Sequence, residues 1–216
     1  MRPPRAACWF VPLALLAAAS AATAQPTSSD IAVSLVYEAR EAAAAVPAPK
    51  DGCVVHLAPA LDQRQNKQTL GHGAAGPIVA GDAAPWLDAG LERMAGQGVA
   101  VRRAVGDGPA PDGLLVRPAL VRLYFWPAQG KLISMLAVRV AFTDRNGVAQ
   151  EKTYRAYGDA ATRSSAPREL VAALNLDLDH VRQVMAADLV ALCRGTKIEP
   201  LAFVRSLPAS QRAAPR

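Results

Sequence analysis

The stretch that most constrains this chain is residues 113–158, GLLVRPALVRLYFWPAQGKLISMLAVRVAFTDRNGVAQEKTYRAYG. β-Branched and aromatic residues crowd it, and Pro127, Gly130 and Asn146-Gly147 interrupt it at regular intervals. That pattern predicts three consecutive strands, over 114–126, 131–144 and 148–157. Asn146-Gly147 is a hairpin signal, since both residues tolerate the positive φ of a tight turn. In the middle strand Leu132, Leu136, Val138, Val140 and Phe142 share one face, with Ser134 between them. Lys131, Arg139 and Thr143 share the other with Ile133, Met135 and Ala137, because side chains alternate along a strand. Such a sheet has one face on a core and one partly wet. No catalytic signature sits on it.

A long amphipathic helix follows. Ser164-Ser165, Pro167 and Glu169 form a helix opening, with proline near the first helical position. Leu170, Leu174, Leu178, Val181, Met185, Leu189 and Leu192 then recur every three or four residues, the stripe that covers a sheet. Unbroken over 167–193, this helix is about 40 Å long. Arg194 lies at its negative end and Gly195 at its C-terminus. A second helix is predicted over 82–98, with Asp82 as cap, Pro85 in the first turn and Gly96 or Gly98 as stop. Trp86, Leu87, Gly90, Leu91 and Met94 fall at helical spacing, so Trp86 reads as core packing against the three strands, with a ligand platform as its functional alternative.

Residues 53–60 read as a buried strand leading into Leu61-Asp62-Gln63-Arg64, a polar loop, and Leu70-Gly71-His72-Gly73. These glycines lack the GxxxxGK[ST] spacing of a phosphate cradle, and no helix follows to point at an anion, so a turn is expected. Further short strands are expected over 77–80 and from 99, and a loop over 106–113. Residues 25–52 read as an approach segment: a short helix capped by Ser28-Ser29-Asp30, with Ile31, Leu35, Ala39 and Ala42 on one side, or a loosely docked tail. The domain proper is 53–195. Residues 196–216 are expected to be a mobile tail of which 201–207 can dock. The expected class is α+β, an antiparallel-rich sheet with a three-stranded meander, backed by two helices.

The chain begins like an exported protein. Arg2 and Arg5 precede an apolar run from Cys8 to about residue 18, and Ala22-Thr23-Ala24 before Gln25 fits a small-x-small cleavage site. The rival reading is an uncleaved anchor that leaves the chain associated with the membrane, but the run is short and Ala-rich and contains Pro12, unlike a membrane span of about 20 residues. A lipid-modification site needs a Cys after the apolar run, and Cys8 stands before it, so no lipid anchor is expected and the mature product is expected in the periplasm. Losing Arg2 and Arg5 takes the formal net charge from +6 to +4. That excess is spread out, without the basic stripe and interleaved aromatics of a nucleic-acid binder. Cys53 and Cys193 are the even pair left, and in an oxidising compartment they are expected to form a disulfide rather than two buried thiols.

Chemistry-bearing residues are scattered. His56, His72 and His180 stand in different elements, none at a metal-ligand spacing such as HExxH, and no GxSxG elbow occurs. Neither a metal nor a cofactor is expected. Asp177, Asp179 and His180 lie on the long helix, where positions i and i+2 diverge, so a solvated face is expected. Asp62 and Arg64 share one side of an extended segment, as an ion pair or as the site of a small charged ligand; with Trp86 they are the candidate binding residues. A hydrolase site assembled from loops near Asp62, His72 and Asp82 is the rival reading.

Across 53–195 the chain resembles the YajG-like family of bacterial envelope lipoproteins. The likeness lies in Asp62-Gln63-Arg64, Leu70-Gly71, Trp86-Leu87 with Gly90-Leu91 and Gly98, the Asn146-Gly147 hairpin, Tyr154 to Gly158, and a last helix with Asn175, Leu178, Val181 and Asp188. The missing lipid-attachment Cys is the departure. The resemblance implies a non-catalytic α+β envelope domain. The expected function is that of an exported accessory protein binding an envelope protein or a cell-wall component.

Overall fold

The computed structural model describes residues 30–39, 46–49, 52–106, 108–110, 112–162 and 166–206. The expected signal segment 1–24, the caps Ser28-Ser29 and Ser164-Ser165, and everything after 206 lie outside the described residues. In chain order the elements are β1 (Ile31–Val33), β2 (Val54–Leu57), β3 (Leu61–Asp62), β4 (Thr69–His72), β5 (Pro77–Ala80), α1 (Ala84–Glu92), β6 (Ala100–Arg103), β7 (Leu114–Ala128), β8 (Lys131–Thr143), β9 (Ala149–Thr162), α2 (Pro167–Cys193) and β10 (Leu201–Ser206).

The three long strands expected from the sequence are β7, β8 and β9, and β8 pairs antiparallel with both neighbours. Gln129 and Gly130, at φ 48° and 81°, form the two-residue turn between β7 and β8. Positive φ at both central residues is what a type I′ hairpin requires. The Asn146-Gly147 turn is built differently. Only Gly147 has positive φ there, and the Asp144 carboxylate accepts the N–H groups of Asn146 and Val148, each at 2.8 Å. Asp144 thus supplies bonds that a tight turn takes from backbone, and the loop is longer.

The sheet as a whole is mixed, which corrects the antiparallel-rich expectation. β2, β3 and β4 lie end to end along one edge of β7, all parallel to it, with Val55 opposite Leu114, Leu61 opposite Ala119 and Gly71 opposite Phe125. β6 runs parallel to β2, β1 to β5 and β10 to β9. The segment read as one strand and a polar loop is therefore a strand interrupted twice, first around Pro59, which has no N–H to donate. The expected turn at Gly71 is part of β4. A Cβ on Gly71 would sit 2.3 Å from the Phe125 carbonyl oxygen, and its φ is +113°. Only glycine lets β4 come this close to β7.

Helix α2 lies across β8, β9, β10 and β1, and α1 packs on α2. All seven members of the α2 stripe are buried, as are Leu132, Leu136, Val138, Val140, Phe142 and Tyr154 on the sheet face beneath. Each such side chain contributes about 1.5–3 kcal/mol on burial, which makes this layer the core. Gly90 sets the distance between the helices, since a Cβ there would be 2.3 Å from Leu178 Cδ2. Helix α1 stops at Glu92, and Gly96 and Gly98 turn the chain at positive φ.

Two local expectations fail for stated reasons. Residues 31–33 are a strand, not the start of a helix: Ile31 and Val33 suit an edge strand, and they pair in register with Ile78 and Ala80. The solvated face expected for Asp177, Asp179 and His180 is buried, because α2 is covered by the sheet, by α1 and by the segment after β1. The C-terminal segment expected as a tail contains β10, so its docking alternative describes it.

Candidate functional site

Much of the polar chemistry in this chain is structural. Cys53 and Cys193 form a disulfide with Cα atoms 5.8 Å apart, joining the entry to β2 with the last turn of α2. On α2, Asn175 takes the Trp86 indole N–H at 2.7 Å and donates to the Val36 carbonyl at 3.1 Å. The Tyr37 hydroxyl donates to Asp179, which also accepts from Arg182 Nη2 at 3.1 Å, while Arg182 Nη1 donates to the Arg93 carbonyl at 3.2 Å. Burial, then the hydrogen bond to the Asp179 carboxylate, push the Tyr37 phenol well above its ordinary pKa. One cluster therefore ties the N-terminal segment and the end of α1 to α2. A second ties β9 to α2: Lys152 Nζ and the Tyr154 hydroxyl lie 2.7 and 2.8 Å from Asp188 Oδ2.

Trp86, a candidate binding residue, is 1% exposed and belongs to the first cluster. That placement gives it the packing role. Asp62 and Arg64 do meet, through Arg64 Nη2 to Asp62 Oδ2 at 2.7 Å and Nε to Oδ1 at 3.0 Å. Burial by itself raises the Asp62 pKa, but the hydrogen bonds from the Arg64 side chain and N–H outweigh it and hold the carboxyl below its ordinary value. The pair anchors the end of β3.

The clefts offer little for hydrolysis. Asp62 and Asp82 line one cleft with Lys67 and Gln68, and His72 is not among its lining residues. Asp62 is held by Arg64, and Asp82 Oδ1 accepts the Ala84 N–H at 3.0 Å at the start of α1. The structure thus brings two of the three loop residues together without the histidine. A second cleft, lined by Gln63, Arg64, Asn66, Gly71, Arg122 and Tyr124 among others, contains no carboxylate, histidine or cysteine. His56 Nε2 is 2.7 Å from Asp112 Oδ1, and Arg102 Nη1 is 3.3 Å from Oδ2. The hydrogen bond with His56 leads the causes that lower the Asp112 pKa. The cleft beside this His–Asp pair has no hydroxyl or thiol among its lining residues to serve as nucleophile. Among the described residues no group of three or more His, Cys, Asp or Glu is placed to hold a metal ion.

The surface that stands out is the sheet face opposite α2. Trp126 is 57% exposed, Tyr157 38%, Leu201 42% and Phe203 64%. Strand register puts them on one face: Trp126 beside Ile133, then Tyr124, Met135 and Tyr157 in a row, then Arg122, Ala137, Arg155 and Phe203. The Arg155 guanidinium lies 5.5 Å from the centroid of the Phe203 ring, within cation–π range. The sequence reading saw the wet face of β8 but missed this patch. The alternation Arg122-x-Tyr124-x-Trp126 carried the signal, although a bulge between Leu120 and Arg122 reverses the parity of β7 at that point. Among the described residues, no helix is long and apolar enough to cross a membrane.

Neither a protein-family model nor a curated protein matches the chain. Among solved structures, protein XCC0632 from Xanthomonas campestris, of family DUF330, aligns with TM-score 0.51 at 10% identity, over 77% of this chain and 97% of that one. The hypothetical protein CT253 from Chlamydia trachomatis aligns at TM-score 0.49 and 10% identity, over 67% and 99% of the two chains. Lipoprotein GNA1162 from Neisseria meningitidis aligns at 0.32 and 9%, over 67% and 99%. The first is a likeness of fold, and the chain shares that α+β architecture with XCC0632.

Proposed function

We propose that this chain is an exported, non-catalytic envelope protein that acts by binding another envelope component, a protein or part of the cell wall. The observation that carries this reading is the exposed aromatic and arginine-bearing face of the sheet, set against loop clefts in which Asp62, Asp82 and Asp112 are each held by a hydrogen bond or an ion pair. Contiguous exposed apolar surface marks binding sites, and Trp, Tyr, Met and Arg are the residues enriched in interfaces. The leader-like residues 1–24, with cleavage after Ala24 and no Cys following the apolar run, support a soluble periplasmic product. The disulfide supports an oxidising compartment. The pattern shared with YajG-like proteins agrees with this assignment, which needs no cofactor and no nucleic acid.

Chemical crosslinking in intact cells, followed by fractionation, tests the reading. The expected result is an adduct between the chain, beginning at Gln25, and an envelope component. Recovery of the chain in the cytoplasm with Met1 intact contradicts it. So does a hydrolytic activity abolished by Asp82→Asn or His72→Gln in a folded protein, which favours the loop-assembled hydrolase instead.

A further inference from the structure

The outer face of the sheet also specifies what kind of partner it fits, an inference that rests on the binding reading above. Three observations meet at its β10 side. The first is charge. Among the described side chains on this face Arg117, Arg122, Lys131, Arg139 and Arg155 stand against Glu151, and Arg155, on β9, lies directly beside Phe203 of β10. The second is apolar exposure, with Leu201 and Phe203 of β10 beside Tyr157 of β9. The third is an open edge. β10 pairs with β9 and ends the strand order, so among the described residues no strand meets its other side.

We infer that the outer face beside β10 docks an extended, acidic segment of another polypeptide, which adds as a strand to the β10 edge. Backbone donors and acceptors along an edge repeat at about 3.3 Å per residue, a spacing that a polypeptide matches and a glycan chain does not. Alternate side chains of the added strand fall on the outer face, where apolar ones meet Phe203 and Leu201 and carboxylates reach across β10 to Arg155. A guanidinium accepts a carboxylate in a two-bond fork, which favours acidic side chains over neutral ones. A second copy of this chain fits poorly. A two-fold contact through this face sets arginine against arginine, and like charges directly opposed across strands are destabilising.

The test places a photoreactive benzoylphenylalanine at position 203 or 157 of the full chain in its native cells, with position 105 as control, since Val105 is fully exposed on the loop after β6. The expected result is capture at the first two positions of one segment of another protein, rich in Asp and Glu. Capture at position 203 should fall at least about tenfold in the R155E variant, whose melting temperature is measured alongside. If that variant does not fold, R155Q serves in its place with a smaller loss expected. Silence at both positions overturns the inference. Capture of a second copy, of a glycan or of a segment without acidic residues overturns it too, as does capture that is indifferent to Arg155. An envelope component captured at position 105 alone sinks this inference and leaves the binding function standing. A cytoplasmic chain with no capture at any position sinks both.

Discussion

The disulfide gives the most quantitative perturbation. Cys53 and Cys193 are separated by 140 residues, so the bond closes nearly the whole described domain into one loop. By loop-closure entropy, restricting an unfolded chain over that length is worth about 5 kcal/mol at room temperature. Cys53→Ala/Cys193→Ala removes it without leaving a reactive thiol. For a domain of this size each kcal/mol moves the melting temperature by about 2–4 °C, so the full effect is a drop of roughly 10–20 °C. Thermal unfolding followed by circular dichroism, with and without reductant, reads this directly. The wild-type protein under reductant should fall to the level of the double variant, which reductant should leave unchanged. A variant melting within about 2 °C of the oxidised wild type would refute the reasoning, because the bond would then do nothing that packing does not already do.

Three further outcomes follow from contacts around the core. Gly90→Ala puts a Cβ 2.3 Å from Leu178 Cδ2; it should cost about 1–3 kcal/mol in urea denaturation, as overpacking does. Trp86→Phe leaves the buried Asn175 Oδ1 without its donor, a loss of about 1–3 kcal/mol by the same assay. Asp62 has a folded pKa below its ordinary 3.8, so its carboxylate stabilises the fold above that pH and loses this effect as pH falls through the lowered value. The melting-temperature gap between wild type and Asp62→Asn should therefore be widest near about pH 5 and close on acidification towards about pH 2; a gap independent of pH contradicts the assignment.

What the sequence revealed and what it hid have physical reasons. The long strands and α2 were legible because their periods of two and about 3.6 run unbroken over many residues. Leu132 to Phe142 and Leu170 to Leu192 face where the pattern puts them. The parallel pairing of β2, β3 and β4 along β7 was not legible, since a break at Pro59 and a polar stretch after Arg64 look the same whether the chain turns away or continues. Asp177 and Asp179 misled for a related reason. Charge predicts a wet helix face only when nothing else covers it, and the cover here is Tyr37, Val36 and Arg93, all distant in sequence. The Cys53–Cys193 pairing was readable because two cysteines allow one intramolecular bond. The exposed patch was half readable: Tyr124 and Trp126 alternate properly, but the bulge at Val121 decides which face they take.

The central claim is that the chain works through the outer face of its sheet and not through its histidines and loop carboxylates. Complementation of a deletion strain measures this most directly. Arg122→Glu/Arg155→Glu/Phe203→Ser, expressed at wild-type level and with a wild-type melting temperature, should fail to restore the deletion defect, whereas His56→Gln/His72→Gln/Asp82→Asn should restore it. Restoration by the outer-face variant, with failure of the histidine and aspartate variant, would contradict the account.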